Sequence, residues 1–287
     1  MPAATTHSEF AKEVYARLPM DAKSEICDMH MFCLGSQGPD ALFFSRASLF
    51  PGSLKPYGTM MHRTNVREAI RYLDEHTQKD KELRSYFYGY LCHYALDAAV
   101  HPLVFAISRK RHNEEGVNEG EIHVTMEADI DVWFLHQRGR KTESYNVYED
   151  LKVTSTQASK LANLYHGLMK EVYRLSLSKR DLKGAFLETA MWTKFIAPTK
   201  QKYNFLYGLE LALRIPHGIT GMMLVDKHGM EIINLDHKAY PLSYDATQSI
   251  SASFPQLYGK ALQKALGLID SCSMDAIDTN FNGEPIV

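Results

Sequence analysis

The chain has 287 residues, 45% of them hydrophobic, enough to bury one large core, and length alone leaves one or two domains open. A formal net charge of −2 excludes the overall basic footprint that selects duplex nucleic acid or an anionic membrane surface. Four Cys with no CxxC pair exclude a disulfide framework, whereas thirteen His direct attention to imidazole and carboxylate chemistry.

Thr6 and Glu9 make a capping-box pattern, after which Phe10, Val14 and Leu18 recur at helical spacing until Pro19. A second helix is expected over about 22–34, ending at Gly35. The loop Gly35-Ser36-Gln37-Gly38-Pro39-Asp40 follows, then an irregular stretch with Pro51, Gly52, Pro56 and Gly58; a connection of this length reads as functional. Helical periodicity returns at about 61–76 and 81–100, the latter opened by Asp80 as a cap and closed by Pro102, and again at 119–138 up to Gly139. Further helices are expected near 151–175, 182–196, 201–213 and 254–269. Met222 to Val225, the turn residues 226–229 and Met230 to Ile233 predict a β-hairpin over about 222–233. The fold class expected is therefore all-α with one small hairpin in the C-terminal half.

No Pro/Gly/Ser-rich linker or charge run divides the chain, so the expectation is a single domain over 1–287. Its candidate ligands fall in 1–140, with C-terminal helices and the hairpin in 141–287. Residues 1–17 carry Glu9 and Glu13 and lack the basic, apolar, small-residue order of a signal peptide, and no segment reads as a membrane span. A cytoplasmic location is expected.

Chemistry concentrates in His93-x3-Asp97-x3-His101, where residues four apart share one helix face. The same stripe holds Tyr86, Gly89, Tyr90 and Val100, so Asp97 would face an apolar interior, where a bare charge is costly and a cation would balance it. An ordinary hydrogen-bonded His/Asp couple is the plainer reading. His123-x3-Glu127, with Asp131 one turn further, repeats the spacing; imidazole nitrogen and carboxylate oxygen at that distance can bite one zinc ion. Asp131 would orient His123 through its other ring nitrogen or be solvated. His7 shares a face with Phe10, Ala11 and Val14, Asp40 closes the Gly-rich loop, and His62 begins a helix. Each of these three is singly compatible with a core histidine or a turn.

Taken in order, His7, Asp40, His62, His93-x3-Asp97-x3-His101 and His123-x3-Glu127 resemble the bacterial zinc-dependent phospholipase C family. That family is related to the fungal zinc nucleases that cut single strands, and both are all-helical with three clustered zinc ions. The resemblance covers about residues 6–131. It implies that Asp40, His62, His93 and Asp97 surround a first zinc and that His101, His123 and Glu127 hold a second. Asp97 would also bridge to a third ion, which the family completes with His7 and the main chain of an N-terminal Trp. Here Met1-Pro2 precede His7 and no Trp stands there, so two or three ions are expected. The His101 spacing is a little shorter than in the secreted phospholipases, which suggests an intracellular-type branch.

The reaction expected is hydrolysis of a phosphate ester by metal-activated water, with Asp40 as combined ligand and general base and Glu127 as the second candidate. The substrate class is a phosphodiester, a phospholipid or a soluble ester, acted on by a phospholipase C, nuclease or phosphatase activity; duplex nucleic acid is not expected. No basic amphipathic helix is evident to bring a lipid interface to the enzyme. His217, Asp236, His237 and Tyr240, with Tyr203, Phe205 and Tyr207, could wall a pocket over the metals or belong to ordinary packing. A helical His-Asp phosphohydrolase would need a His-Asp dipeptide and a di-iron bundle would need Glu-x-x-His, and the sequence contains neither. The non-enzyme alternative is a helical protein that binds the metal without turnover.

Overall fold

The computed structural model describes residues 3–48, 51–213, 219–224, 230–271 and 273–286. Its helices follow the apolar periodicity. Helix α1 spans Ala4–Arg17, α2 Met20–Glu25 and α3 Met29–Gly35. A 3-10 segment, Gly38–Ser48, leads to α4, Lys55–Arg63, and α5, Val66–Thr77. The long α6, Lys81–Glu115, is followed by α7, Glu119–Gln137. The second half adds α8, Ser155–Glu171, α9, Lys179–Phe195, α10, Lys200–Leu213, and α11, Phe254–Ser271.

Helix α6 is the axis on which α1, α3, α5, α7, α8 and α11 pack. Asp80 caps it as expected, accepting from the amides of Glu82 (3.0 Å) and Leu83 (3.2 Å). Pro102, however, does not end the helix. A proline in a helix interior normally costs about 3 kcal/mol, because it takes one N–H out of the ladder and crowds the carbonyl four residues back. Here Pro102 is buried, and the C-terminal turn presses on that spot: a Cβ on Gly283 would lie 2.4 Å from Pro102 Cγ and 2.7 Å from the Ala98 carbonyl oxygen. Tertiary packing overrides the local stop, and α6 runs about four turns past the expected end, to Gly116, whose φ of 72° makes the left-handed cap. The result is 35 residues long and apolar enough to cross a membrane, contrary to the sequence reading, yet 89% of its most apolar window is buried inside the protein.

One continuous cluster of buried side chains runs from Ala4 to Phe281. A second, small cluster of Ile196, Tyr203, Leu206 and Met223 holds α10 outside it. Two strands, Tyr240–Pro241 and Ser249–Ile250, pair antiparallel with Tyr240 opposite Ile250. This hairpin lies beyond the one predicted at 222–233. There, Thr220–Met222 and Glu231–Ile233 are 3-10 turns and residues 225–229 lie outside the described ones. The apolar runs Met223-Leu224 and Ile232-Ile233 are buried because they dock on helices, a burial that periodicity alone does not distinguish from that of a strand.

Helices α3 and α6 meet through two glycines. A Cβ on Gly89 would come within 2.0 Å of the Phe32 carbonyl oxygen, and one on Gly35 within 2.0 Å of the Tyr86 carbonyl oxygen. Ala for Gly in a helix interior ordinarily adds up to about 1 kcal/mol of stability. At this contact the backbones must part, so Gly89→Ala is expected to lower the denaturant-unfolding free energy by about 2–3 kcal/mol, in the range of core overpacking. A gain in stability would contradict this close approach.

Candidate metal centre

Along α6, His93, Asp97 and His101 fall within about 80° of the helix circumference, so their side chains leave from one stripe. That stripe faces inward: His93 is fully buried, Asp97 is 3% exposed and His101 7%. His93 Nε2 lies 3.0 Å from Asp97 Oδ2, and His101 Nε2 lies 3.7 Å from Asp97 Oδ1.

Other elements bring the remaining expected residues to the same place. Helix α1 delivers His7, whose Nε2 is 3.2 Å from Asp97 Oδ1. The end of α4 delivers His62, with Nε2 3.6 Å from Asp97 Oδ2 and 3.1 Å from Oδ1 of Asp40, which opens the 3-10 segment. Helix α7 delivers His123 and Glu127, one turn apart, and Glu127 Oε1 lies 3.2 Å from His123 Nε2 and 3.3 Å from His101 Nε2. All eight expected ligand-type residues therefore converge. Their donor atoms fall into three groups, each within 4.8 Å: His7, Asp40 and His93; His62, His93 and Asp97; His101, His123 and Glu127.

Three of the imidazoles are aimed by backbone carbonyls. Nδ1–H of His62 donates to Gly58 O at 2.7 Å, that of His93 to Ser36 O at 3.1 Å, and that of His101 to Phe281 O at 2.9 Å. A carbonyl only accepts, so Nδ1 carries a proton in each ring and Nε2 is the nitrogen turned toward the acids. These partners were not foreseen, because main-chain acceptors leave no residue-type mark. One indirect mark exists in the Gly-rich loop: a Cβ on Gly38, whose φ is 52°, would lie 2.1 Å from the His93 ring. The Phe281 ring itself lies against His62 and His93, with centroids 5.1 and 5.5 Å away.

The arrangement fits a cation. Nε2 lone pairs and carboxylate oxygens are both acceptors, and placing them 3.0–3.7 Å apart without a donor between them is repulsive. The ligands of one tetrahedral zinc, at the usual bond lengths, stand roughly 3.3–3.6 Å from each other, the same spacing. His93 Nε2 and Asp97 Oδ2 are buried with no hydrogen-bond partner, an arrangement costly unless an ion completes it. His7, Asp97, His101 and Glu127 also line a small cavity of about 20 Å³, room for a water molecule or an ion, walled in part by Ile130 and Phe254.

Electrostatics without a cation are those of a proton-sharing cluster. Burial alone would raise Asp97, yet the surrounding imidazoles of His101, His93 and His7 hold it well below the usual carboxylate range. Glu127 is likewise held low against burial by His123 and His101, and Asp40 by its bond to His62. Burial pushes His93 down, whereas for His62 the neighbouring carboxylates of Asp40 and Asp97 outweigh burial and pull it up to about 10; His101 is raised as well.

Asp131 has a different place from the two expected. It is 1% exposed and neither solvated nor bonded to His123. Its Oδ1 accepts from the Thr6 amide (2.7 Å) and hydroxyl (2.6 Å), and its Oδ2 from the Thr5 amide (3.1 Å). It thus caps α1 from across the fold, in place of the Thr6/Glu9 capping box, and that helix begins at Ala4. Burial still pushes Asp131 up to about 6 despite the Thr6 bonds. The possible wall from the second half is not assembled over the cluster. Asp236 and His237 are exposed, Phe205 is 72% exposed, and Tyr203 belongs to the small separate cluster with Tyr207 packed on it. Tyr240 is buried but bonds Glu231, and His217 lies outside the described residues.

A family model described as zinc dependent phospholipase C matches residues 6–178, more than half of the chain, and includes every one of the eight converging residues. No curated protein and no solved structure matches the chain.

Because His62 is held up to about 10 when no cation is bound, it carries a proton at neutral pH that a metal must displace. Zinc uptake is therefore expected to release at least one proton near pH 7 and to tighten about tenfold per pH unit for each proton released, between pH 6 and 8. Calorimetric titration in two buffers of different ionisation enthalpy measures this; identical heats in both would contradict the protonated cluster.

Proposed function

Since the chain belongs to the zinc-dependent phospholipase C family, we propose that it is a zinc-dependent phosphodiesterase of phospholipase C type. The observation that carries this reading is the set of buried acceptors facing one another around Asp97, with His93 Nε2 and Asp97 Oδ2 left without hydrogen bonds. Asp40, His62, His93 and Asp97 would hold one ion and His101, His123 and Glu127 a second. Asp97 and His7 would hold a third. Zinc held there would acidify a water toward neutrality, polarise the phosphoryl oxygens and stabilise charge on attacking and leaving oxygens.

The chain's own residues supply position and proton transfer. Asp40, held in its ionised form beside His62, is the general base, since only the carboxylate form can take a proton from water. Glu127 is the second candidate, with Oε1 shared between His101 and His123. The backbone carbonyls of Gly58, Ser36 and Phe281 fix the ring planes, so the ligand set is in place before substrate arrives.

Activity on a water-soluble phosphodiester should disappear on chelation and return with zinc. Asp40→Asn is expected to lower kcat by about 10²–10⁴-fold, the usual range for losing a general base, with metal content followed by elemental mass spectrometry. A metal-replete Asp40→Asn protein with full activity would remove Asp40 from the role. A zinc-loaded wild-type protein inert on every phosphoric ester would favour a metal-binding protein without turnover.

A further inference from the structure

Helix α9 is apolar on two opposite sides. Leu182, Ala185, Phe186, Thr189 and Thr193 are buried along one stripe, whereas Leu187 (40% exposed), Met191 (53%) and Phe195 (39%) form a second stripe about 180° away. On helix α10, Phe205 (72% exposed), Leu209 (48%) and Leu213 (60%) make an exposed row at the same four-residue spacing, about 90° round the helix from the buried Tyr203, Leu206 and Glu210. The two helices meet where Ile196 packs with Tyr203 and Leu206, and Lys202 Nζ bonds the Phe195 and Ala197 carbonyls. A soluble surface rarely carries two such stripes on consecutive helices without a partner for them.

Charge tells which partner. Residues 179–213 contain six basic side chains against three acidic ones, a net +3 in a chain whose total is −2. The three acids are engaged. Asp181 pairs with Arg46 at 3.1 Å, Glu188 accepts from the Arg46 amide at 2.8 Å, and buried Glu210 accepts from the Thr220 amide at 3.0 Å. Lys179, Arg180, Lys194 and Lys200 are exposed. Aliphatic and aromatic side chains flanked by lysines, with no exposed acid left free among them, suit an interface of acyl chains beneath anionic headgroups. An acidic protein partner would match the charge but not the row of flexible Leu, Met and Phe side chains standing out from the surface.

We propose that the exposed stripes of α9 and α10 are an interfacial docking face by which the protein seats on an anionic lipid surface. The choice of lipid as the occupant rests on the phospholipase C-type reading above; the surface itself stands on its exposure and charge. The sequence reading found no basic amphipathic helix and so missed this face, because helical periodicity over about 182–196 and 201–213 does not tell which apolar side of each helix is buried.

Cosedimentation with vesicles of phosphatidylcholine alone, and of phosphatidylcholine with phosphatidylglycerol, tests the proposal, with zinc-loaded full-length protein. Wild type is expected to pellet with the anionic vesicles and to be released by high salt. The variant Phe205→Ser/Leu209→Ser should bind them at least about tenfold more weakly, since fully burying one such side chain favours binding by that order. A second variant, Lys194→Glu/Lys200→Glu, should lose anionic binding by about tenfold or more. Both variants should hydrolyse a water-soluble phosphodiester at the wild-type rate. Wild type remaining in the supernatant, or both variants pelleting as wild type does, overturns the proposal. So does a wild-type dimer in light scattering that the Ser variant turns into a monomer, which would make the face a contact between copies. Absence of hydrolysis in all three proteins would instead count against the phosphodiesterase reading and leave the vesicle result to be read by itself.

Discussion

The carboxylate of Asp97 sits at the centre of the molecule with four imidazole nitrogens within 3.7 Å, and the rest of the architecture can be understood from that placement. A charge taken from water into a helical core has to be neutralised, and here both of its oxygens face nitrogen lone pairs rather than fixed donors. Protons can bridge such a cluster only partially, as the divergent behaviour of His62, pulled up, and His93, pushed down, makes plain. A doubly charged ion resolves all of the contacts together. The helices around α6 are thus arranged by two demands: to bury apolar stripes, and to bring α1, α4 and α7 close enough for His7, His62 and Glu127 to reach one centre.

Holding that centre requires more of the chain than the ligands. Ligating rings that could swivel would lose affinity, and the rings of His62, His93 and His101 are each tied by Nδ1 to a main-chain carbonyl. One of these carbonyls belongs to Phe281, far outside the matched residues 6–178. The same C-terminal turn bonds its amide to the His62 carbonyl at 3.1 Å and lays Gly283 over the break in the hydrogen-bond ladder at Pro102. Pro102 directly follows His101, so the proline, the terminal turn and the ligand form one mechanical unit. The helix continues through the proline, and the turn that covers that spot also aims the imidazole.

Much of the site was legible because most of its candidate ligands come one helical turn apart. His93/Asp97/His101 and His123/Glu127 are local in sequence, so helical geometry alone places each pair on a face, and the structure has them there. Single residues such as His7, Asp40 and His62 carried no such internal check and depended on the order of the whole set. What could not be read were relations across long separations. Asp131 caps α1 over more than a hundred residues, which no local pattern encodes, and local signs at Thr6 pointed elsewhere. The hairpin was misplaced for a related reason: apolar doublets that dock against helices look like strands until their partners are known, whereas the strands that do form, at Tyr240 and Ser249, are only two residues long.

The exposed faces of α9 and α10 raise the question of how a buried centre and an interface could belong to one mechanism. Helix α9 packs against the Gly38–Ser48 segment, and two of the acids on α9, Asp181 and Glu188, are bound to Arg46 within it. Asp40 lies in the first turn of that segment, two residues after Gly38, the glycine that accommodates the His93 ring. Asp40 therefore lies on the same continuous element that α9 buttresses, and α9 itself is about 10 Å across. A lipid surface resting on the outer stripe of α9 would be separated from the Asp40 segment by little more than one helix. Asp181 is paired with the Arg46 guanidinium and Glu188 accepts from the Arg46 amide, so both acids of α9 are tied to the segment that carries Asp40. One ion pair and one amide hydrogen bond thus tie the helix that would meet a lipid surface to the segment that carries Asp40.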